Sequence, residues 1–198
     1  MTMRIGCLFG TFDPPHLGHV AIAQHVRRAC GLDEVWMVVT PQNPFKRDRP
    51  LSADQHRLAM VRLAVQEEDG LVASGFEIDL PRPNYTADSL KFMRHRWPDH
   101  RFQLIIGSDN LASFHAWKDP EDILEHHGLL VYPRDGVKQH LSATSYHGHP
   151  AVRIIADAPL REVSSTAVRE DIRQWRSVED RVSPAVLRYI RQHKLYNP

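Results

Sequence analysis

Two histidines three residues apart, His16 and His19, are the residues of this sequence whose types and spacing most directly suggest chemistry. They lie in the string GTFDPPHLGH, residues 10–19, which follows an apolar run. At a spacing of three, both imidazoles can face the same side of a first helical turn. Such a pair could bind a metal ion, donate hydrogen bonds to a phosphate, or simply occupy the start of a helix.

The surroundings of the pair favour a phosphate over a metal. Residues 4–9 read as a strand and residues 18–29 as a helix, so the histidines lie where a strand gives way to a helix. The free N–H groups and positive dipole end of a helix amino terminus attract anions, and Gly18 leaves room for a phosphate to approach the backbone. A zinc site would need further His, Cys or carboxylate ligands, and the sequence has no paired metal motif nearby. An ordinary junction with incidental histidines stays the alternative.

A second polar string, VSSTAVRED at residues 163–171, follows the last predicted strand. Ser164, Ser165 and Thr166 place hydroxyl and N–H groups at a helix start, and Arg169 lies one turn further on. From there the guanidinium can reach back toward an anion bound at the helix terminus. Taken alone, the string would be read as an ordinary N-cap.

Together the two strings resemble the signatures of the nucleotidyltransferase superfamily, whose members transfer AMP or CMP from a nucleoside triphosphate. Phe9 is a departure, because many members have a second glycine there. The resemblance implies that His16 and His19 contact the triphosphate and stabilise charge on the bridging and leaving phosphates. It implies that Arg169 and the neighbouring hydroxyls hold the β- and γ-phosphates. It also implies direct attack of an acceptor phosphate on the α-phosphorus of ATP, with Mg²⁺ carried by the nucleotide.

Four further strings resemble the bacterial nicotinate mononucleotide adenylyltransferase family within that superfamily. They are TPQNPFK at 40–46, PNYTADSL at 83–90, IGSDNL at 106–111 followed by Trp117, and YPRDG at 132–136. Asn84 and Ser89 replace a serine and a threonine of the family pattern, and Asp135 intrudes into the last string, whose order is shifted. The resemblance implies an enzyme that makes nicotinate adenine dinucleotide and releases pyrophosphate. A catalytically silent nucleotide-binding sensor on the same fold is the alternative from another functional class.

The same resemblance implies roles in the acceptor site. Lys46 would bind a phosphate, and Thr86 would cap a helix whose free N–H groups face the acceptor carboxylate. Asp109 would accept hydrogen bonds from ribose hydroxyls, and Gly107 would let the nucleotide lie against the backbone. Trp117 would stack on the pyridine ring. The alternatives are a solvated loop lysine at Lys46 and an ordinary core position for Trp117.

The residues expected to act fall into three sets. The catalytic set is His16, His19, Lys46 and Arg169. The ATP-binding set is Gly10, Thr11, Phe12, His16, Gly18, His19, Gly107, Asp109, Ser165, Thr166 and Arg169. The nicotinate mononucleotide-binding set is Asn43, Lys46, Tyr85, Thr86, Ala87, Asp109, Trp117, Lys118 and Arg134. We expect no metal bound by the protein itself.

Strand and helix patterns alternate along the chain, which predicts an α/β fold: a Rossmann-like, doubly wound parallel sheet with helices on both faces. Ligands of such a sheet bind at the carboxyl ends of the strands, where the first string begins. The predicted strands are residues 4–9, 34–39, 71–78, 102–106, 129–132 and 152–156. The predicted helices are 18–29, one capped by Ser52 or Asp54 and running to about 68, 86–97, one or two within 109–126, 165–175, and a last one opened by Ser183-Pro184. We expect one domain, residues 1–198.

The composition gives bounds on location and partners. A formal net charge of +1 gives no electrostatic reason to expect a nucleic-acid or membrane partner. There is no run of about 18 apolar residues, and the first residues lead directly into a strand, so we expect a cytoplasmic protein. The expected partners are therefore the small molecules ATP and nicotinate mononucleotide, and the sequence leaves homo-oligomerisation open.

Overall fold

A sheet of six parallel strands organises the chain. The computed structural model describes residues 1–42, 50–133, 146, 148–155, 157 and 163–197. The strands are β1 Arg4–Gly10, β2 Glu34–Val39, β3 Leu71–Ser74, β4 Arg101–Gly107, β5 Leu129–Tyr132 and β6 Val152–Ile154. The α-helices are α1 Leu17–Cys30, α2 Asp54–Val65, α3 Thr86–Arg96, α4 Ser108–Ser113, α5 Pro120–His126, α6 Ser165–Arg173 and α7 Pro184–Gln192.

The order of the strands places a crevice at the centre of the sheet. Along the sheet the order is β3-β2-β1-β4-β5-β6, with Leu8 of β1 beside Met37 of β2 and Ile105 of β4. The chain winds outward from β1 in one direction and outward from β4 in the other. Connections therefore diverge at β1 and β4, and their carboxyl ends flank the crevice where such sheets bind ligands. The predicted α/β, Rossmann-like fold is confirmed.

Helices bury both faces of the sheet. Side chains alternate between the faces along a strand, so Ile5 and Cys7 of β1 pack into one core and Leu8 into the other. A third apolar cluster joins α2 to α6 and α7 through residues such as Met60 and Val168, both 0% exposed. This cluster holds α6, which carries the second polar string, against α2 and α7.

One predicted strand is shorter than expected. The sequence predicts a strand over residues 71–78, but β3 ends at Ser74 and a 3₁₀ turn spans Phe76–Asp79. The run breaks at Gly75, where the backbone leaves the extended conformation. The turn carries Glu77 into the interior, where it is 1% exposed.

The start of α2 also differs from the prediction. Neither Ser52 nor Asp54 caps the helix: Ala53 is the N-cap residue, and no side chain within the described chain caps it. Asp54 is instead the first helical residue, and its carboxylate pairs with Arg57. The helix ends at Val65 rather than near residue 68, because the chain must turn there into β3.

Two later elements end about two residues early. The strand β6 ends at Ile154 and the helix α6 at Arg173, and residue 156 lies outside the described residues. The left-handed backbone of Trp175, with φ 56°, accounts for the early end of α6. In the described part of the chain, no helix is long and apolar enough to cross a membrane.

Candidate active site

The histidine pair lies beyond the end of β1, with His16 as the N-cap residue of α1 and His19 in its first turn. The two rings stack with 3.6 Å between their centroids, and Phe12 meets the His19 ring edge-on at 5.0 Å. The backbone N–H of His16 donates to His19 Nδ1 at 3.2 Å. Since that nitrogen accepts a hydrogen bond, the neutral His19 ring carries its proton on Nε2, which is therefore a donor.

The second polar string docks on the first. Ser165 Oγ donates to the Pro14 carbonyl at 2.9 Å, and Arg169 Nη1 donates to the Asp13 carbonyl at 2.6 Å. Arg169 Nη2 also donates to Thr166 Oγ1 at 3.3 Å. Ser164 caps α6 by accepting from the N–H of residue 167 at 3.1 Å, which leaves the two following hydroxyls for other partners. The amino termini of α1 and α6 thus converge at one place.

A cavity of about 220 Å³ lies between these two termini. Pockets for drug-sized ligands measure about 300–1,000 Å³, so this volume suits the phosphate end of a nucleotide. Eight of the residues predicted to bind ATP line it: Gly10, Thr11, Phe12, His16, His19, Ser165, Thr166 and Arg169. The other three members of that set, Gly18, Gly107 and Asp109, do not line the cavity. Asn110, which the set does not include, lines it.

Asp13 anchors the turn between β1 and α1. Its carboxylate is 1% exposed and accepts from Tyr196 Oη at 2.5 Å and from the N–H of Ser52 at 3.2 Å. Burial, and then the nearby carboxylate, raises the pKa of Tyr196, which therefore stays a neutral donor. Because Arg169 holds the carbonyl of the same residue, Asp13 joins three distant segments at the histidine turn. Sequence reasoning missed Tyr196, and no local signal near residue 196 could have shown its partner.

Arg57 is a second residue that sequence reasoning missed. It is 0% exposed, and its guanidinium donates to the carbonyls of Thr11 at 2.7 Å and Thr40 at 2.9 Å. It also donates to the carbonyls of Pro41 at 3.3 Å and Ser52 at 3.1 Å. A buried charge needs such partners, so Arg57 fixes the backbone beyond β1 and β2 in one arrangement. The available signal was its place on α2, three residues before the buried Met60.

Asn84, which departs from the serine of the family pattern, joins two loops at the carboxyl edge of the sheet. Its Oδ1 accepts from the Gln42 N–H at 3.3 Å, and its own N–H donates to the Gln42 carbonyl at 3.0 Å. Its Nδ2 donates to the Glu77 carbonyl at 3.2 Å. Ser89, the second departure, donates its hydroxyl to the Glu77 carboxyl. Both substitutions therefore belong to one buried network beneath the start of α3.

The substitution Glu77→Gln is expected to remove the loss of folding stability that the wild-type protein shows as the pH rises. Burial raises the pKa of Glu77 from 4.5 to about 7, against bonds from Ser89 and Thr40 that lower it. The folded protein thus keeps a proton that the unfolded chain releases, so the free energy of unfolding falls as pH rises between those two values. The total effect is about 3 kcal/mol.

Urea unfolding at pH 5 and pH 8 measures this effect. Relative to Glu77→Gln, the wild-type protein should lose about 2.5 kcal/mol between the two pH values, because pH 5 already lies above the unfolded pKa of 4.5. The matched control is Asp79→Asn, at the exposed end of the same turn, which should keep the wild-type pH dependence. The same pH dependence in Glu77→Gln and wild type would contradict a neutral buried carboxyl.

The predicted cap of α3 is wrong by one residue. Tyr85, with extended backbone, is the N-cap residue and accepts the first-turn bond from the Ser89 N–H at 3.1 Å. Thr86 is therefore the first helical residue and caps nothing. Ala87 is 4% exposed and packs in the core, so only its backbone can face a ligand. The first N–H groups of a helix have no partner within it, so the predicted donors at this terminus are still in place.

Lys118 and Trp117 lie beside this terminus. The Lys118 ammonium is 2.8 Å from both carboxylate oxygens of Asp88 and 5.2 Å from the centre of the Tyr85 ring. The bond from Asp88 raises the pKa of Lys118. Trp117 packs against Phe114, with 5.4 Å between the rings, and is only partly buried. Its packing agrees with the core interpretation while part of the side chain stays accessible.

The remaining predicted residues are placed as follows. Asp109 is exposed in the first turn of α4, directly after β4 and Gly107. Asn43, Lys46 and Arg134 lie outside the described residues. Across the described ranges, no group of three or more His, Cys, Asp or Glu side chains is placed to hold a metal ion.

The sequence matches known proteins along nearly its whole length. A model of the cytidylyltransferase-like family matches residues 7–171. A protein of Flavobacterium johnsoniae named probable nicotinate-nucleotide adenylyltransferase is 40% identical over 194 residues, which cover 98% of this chain and 99% of the relative. A protein of Cytophaga hutchinsonii with the same name is 42% identical over 196 residues, with 98% and 99% covered.

Solved structures share the fold at lower identity. The chain is similar to Plasmodium falciparum nicotinic acid mononucleotide adenylyltransferase complexed with NaAD, with a TM-score of 0.79 and 19% identity over 98% of this chain and 97% of the other. It is also similar to a putative nicotinate-nucleotide adenylyltransferase from Vibrio parahaemolyticus, with a TM-score of 0.70, 18% identity, and 99% and 96% covered. At these identities the likeness is one of fold.

Proposed function

This chain belongs to the cytidylyltransferase-like family and, within it, to the family of nicotinate-nucleotide adenylyltransferases, and we propose that it transfers AMP from ATP to nicotinate mononucleotide. The products are nicotinate adenine dinucleotide and pyrophosphate, a step of NAD biosynthesis. The observation that carries the proposal is the docking of α6 on residues 13 and 14, which brings the histidine pair and Arg169 to one cavity. A cytoplasmic location suits substrates that are small soluble nucleotides.

The chemistry that this cavity suits is direct displacement at phosphorus. The acceptor phosphate attacks the α-phosphorus of ATP, a new P–O bond forms, and the bond to the α,β-bridging oxygen breaks. Pyrophosphate leaves with that electron pair, so negative charge builds up on the bridging oxygen and the leaving phosphates. Preorganised hydrogen-bond donors lower the barrier most where charge develops in this way. Mg²⁺ enters as part of the MgATP substrate.

We assign the donors by their position. His16 and His19 lie at the amino terminus of α1 and would donate ring N–H groups to the bridging and leaving oxygens. Arg169, with Ser165 and Thr166, would hold the terminal phosphates from the amino terminus of α6. No general base is required, because the attacking phosphate oxygen is already an anion.

Two residues position these donors without being assigned a contact to substrate. Arg57 holds the carbonyls beyond β1 and β2, and Asp13 holds the turn that presents the histidines. Positioning matters because a misplacement of about 1 Å can cost 10²-fold in rate. Both are positioning residues rather than catalytic ones.

The start of α3 is the proposed site of the acceptor's carboxylate. The N–H groups of Thr86 and Ala87 would donate to it at a positive helix end, and Lys118 holds the Asp88 carboxylate nearby. Trp117 would stack on the pyridine ring. Asn43, Lys46 and Arg134 stay proposed contacts to the acceptor, and Asp109 to a ribose.

Pyrophosphate release tests the proposal directly. The protein, MgATP and nicotinate mononucleotide should release one pyrophosphate for each dinucleotide formed, and none without the acceptor. Arg169→Ala should raise the KM for ATP, with Arg173→Ala, a half-exposed arginine of the same helix, as the matched control. No release with any pyridine mononucleotide would favour the nucleotide-binding sensor instead.

A further inference from the structure

A second cavity lies at the opposite end of the sheet from the candidate active site. It measures about 430 Å³ and opens at the amino ends of β1 and β4. The seven residues of β1 rise about 3.3 Å each, so some 20 Å separates the two cavities. The charged and titratable residues of the lining are Arg4, Arg94, His100, Arg101, His126 and His127.

The lining is strongly basic. It holds three arginines and three histidines, and none of its described residues is an aspartate or a glutamate. Two acidic side chains contact residues of the lining: Asp33 accepts from the Arg4 backbone N–H at 2.7 Å, and Asp122 lies 3.3 Å from His126 Nδ1. A groove continues from the cavity past Arg153 and Glu125. The charge inside the cavity is therefore suited to an anion.

Four buried polar atoms of this lining have no hydrogen-bond partner among the described residues. They are Arg94 Nη1, His100 Nδ1, Gln103 Oε1 and His127 Nε2. A buried polar atom without a partner costs about 1–3 kcal/mol, and a charged one costs more. Four such atoms around one cavity indicate a place built to receive a polar ligand.

His127 lies at the centre of this arrangement. It is 8% exposed, and its Nδ1 faces the Phe102 carbonyl at 3.1 Å. A carbonyl can only accept, so Nδ1 carries a proton, and Nε2 is the buried ring nitrogen left without a hydrogen-bond partner in the part of the chain that the structure describes. Burial, and the charges of Arg94 and His126, lower the pKa of His127, while the Phe102 carbonyl and Asp122 act the other way. A bound anion would oppose the effect of the Arg94 and His126 charges on this pKa.

We propose that this cavity is a second binding site, separate from the active site, for a phosphate-bearing anion. Arg94 Nη1 donates a charge-assisted hydrogen bond to a phosphate oxygen. His127 takes up a proton as the anion binds, and its Nε2–H becomes the second donor. Arg4 and Arg101, on the adjacent strands, add positive charge at the mouth. The site does not depend on the proposed function, because its residues lie at the far end of the strands.

Titration with inorganic phosphate, followed through the histidine ring ¹⁵N signals, tests the site. Phosphate should shift the His127 Nε2 signal saturably and raise the pH midpoint of its titration. Arg94→Gln should weaken this binding at least tenfold, as for loss of one charge-assisted bond. The matched control is Arg96→Gln, which removes the same charge from the same helix end outside the lining and should bind as wild type.

Two further measurements distinguish a nucleotide from free phosphate as the ligand and provide a second variant in case the first does not fold. AMP binding about tenfold tighter than phosphate would identify a nucleotide as the ligand, and equal affinity a free phosphate. If Arg94→Gln does not fold, Arg101→Gln, an exposed position of the lining, replaces it. The proposal fails if neither phosphate nor AMP shifts His127, or if the lining and control variants weaken binding equally.

Discussion

His19→Ala is expected to lower kcat by roughly 10²–10³ with little change in thermal stability. The His19 ring accepts from the His16 backbone at Nδ1, so its Nε2–H is fixed as a donor at the edge of the cavity. An oriented donor at a site of developing charge is worth about 10²–10³ in kcat when removed. His16→Ala should cost as much in rate and more in stability, because His16 is buried, 5% exposed, as the N-cap residue of α1.

Steady-state kinetics and thermal unfolding of the same preparations separate the two effects. The matched control is His95→Ala, an exposed histidine of α3, which should change neither kcat nor the melting temperature. A folded His19→Ala protein with wild-type kcat would show that the ring is structural. In that case the ordinary strand–helix junction would be the better interpretation of the pair.

The second large effect concerns the acceptor: kcat/KM should favour nicotinate mononucleotide over its carboxamide counterpart by about 10² or more. The proposed partners at the start of α3 are backbone N–H groups, which are all donors. A carboxylate satisfies them and gains from the helix dipole, whereas the amide's NH₂ meets donors and the negative charge is gone. Charge-assisted hydrogen bonds are worth about 1.5–3 kcal/mol each, so losing one or two costs 10-fold to 10⁴-fold.

A substitution of Lys118 gives a second test of this preference for the acid. Its ammonium holds the Asp88 carboxylate, the acidic side chain in the first turn of α3. In Lys118→Gln that carboxylate is released to repel the acid substrate and to accept from the amide, so the preference should shrink. The matched control is Lys91→Gln, an exposed lysine of the same helix. Equal kcat/KM for acid and amide in the wild-type protein would mean that an acceptor faces the substrate there, and that this placement is wrong.

How much the sequence could predict depended on how local each interaction is. The alternation of strands and helices, and the two phosphate strings, are properties of short segments, so the fold and the positions of His16 and Arg169 could be predicted. The docking of Ser165 on Pro14 joins residues 151 apart, and no pattern within either segment specifies it. Only the α/β architecture, in which both segments follow strands that end at the same edge of the sheet, indicated that the two segments could lie close together.

The residues missed are those whose environment overrides their type. Arg57 belongs to a class that is mostly exposed, and only the carbonyls collected around it make full burial tolerable. Glu77 lies in a run that reads as a strand, and its buried carboxyl accepts from Ser89, a residue of α3 that the strand pattern cannot show as its partner. The cap of α3 was misplaced by a single residue for a similar reason, since Thr86 is a better cap by type than Tyr85 but the backbone turns one residue earlier.

The bonds that complete the histidine turn also bear on how quickly the chain can become active. They join Asp13 to Tyr196 across 183 residues and Asp13 to Arg169 across 156. Contacts so distant along the chain are slow to form, because loop-closure entropy must be overcome before they stabilise anything. The parallel pairing of β1 with β2 closes a much shorter loop, so sheet formation can run ahead of it. After dilution from denaturant, recovery of secondary structure should therefore precede recovery of catalysis, because the turn between β1 and α1 is among the last parts of the molecule to reach its final structure.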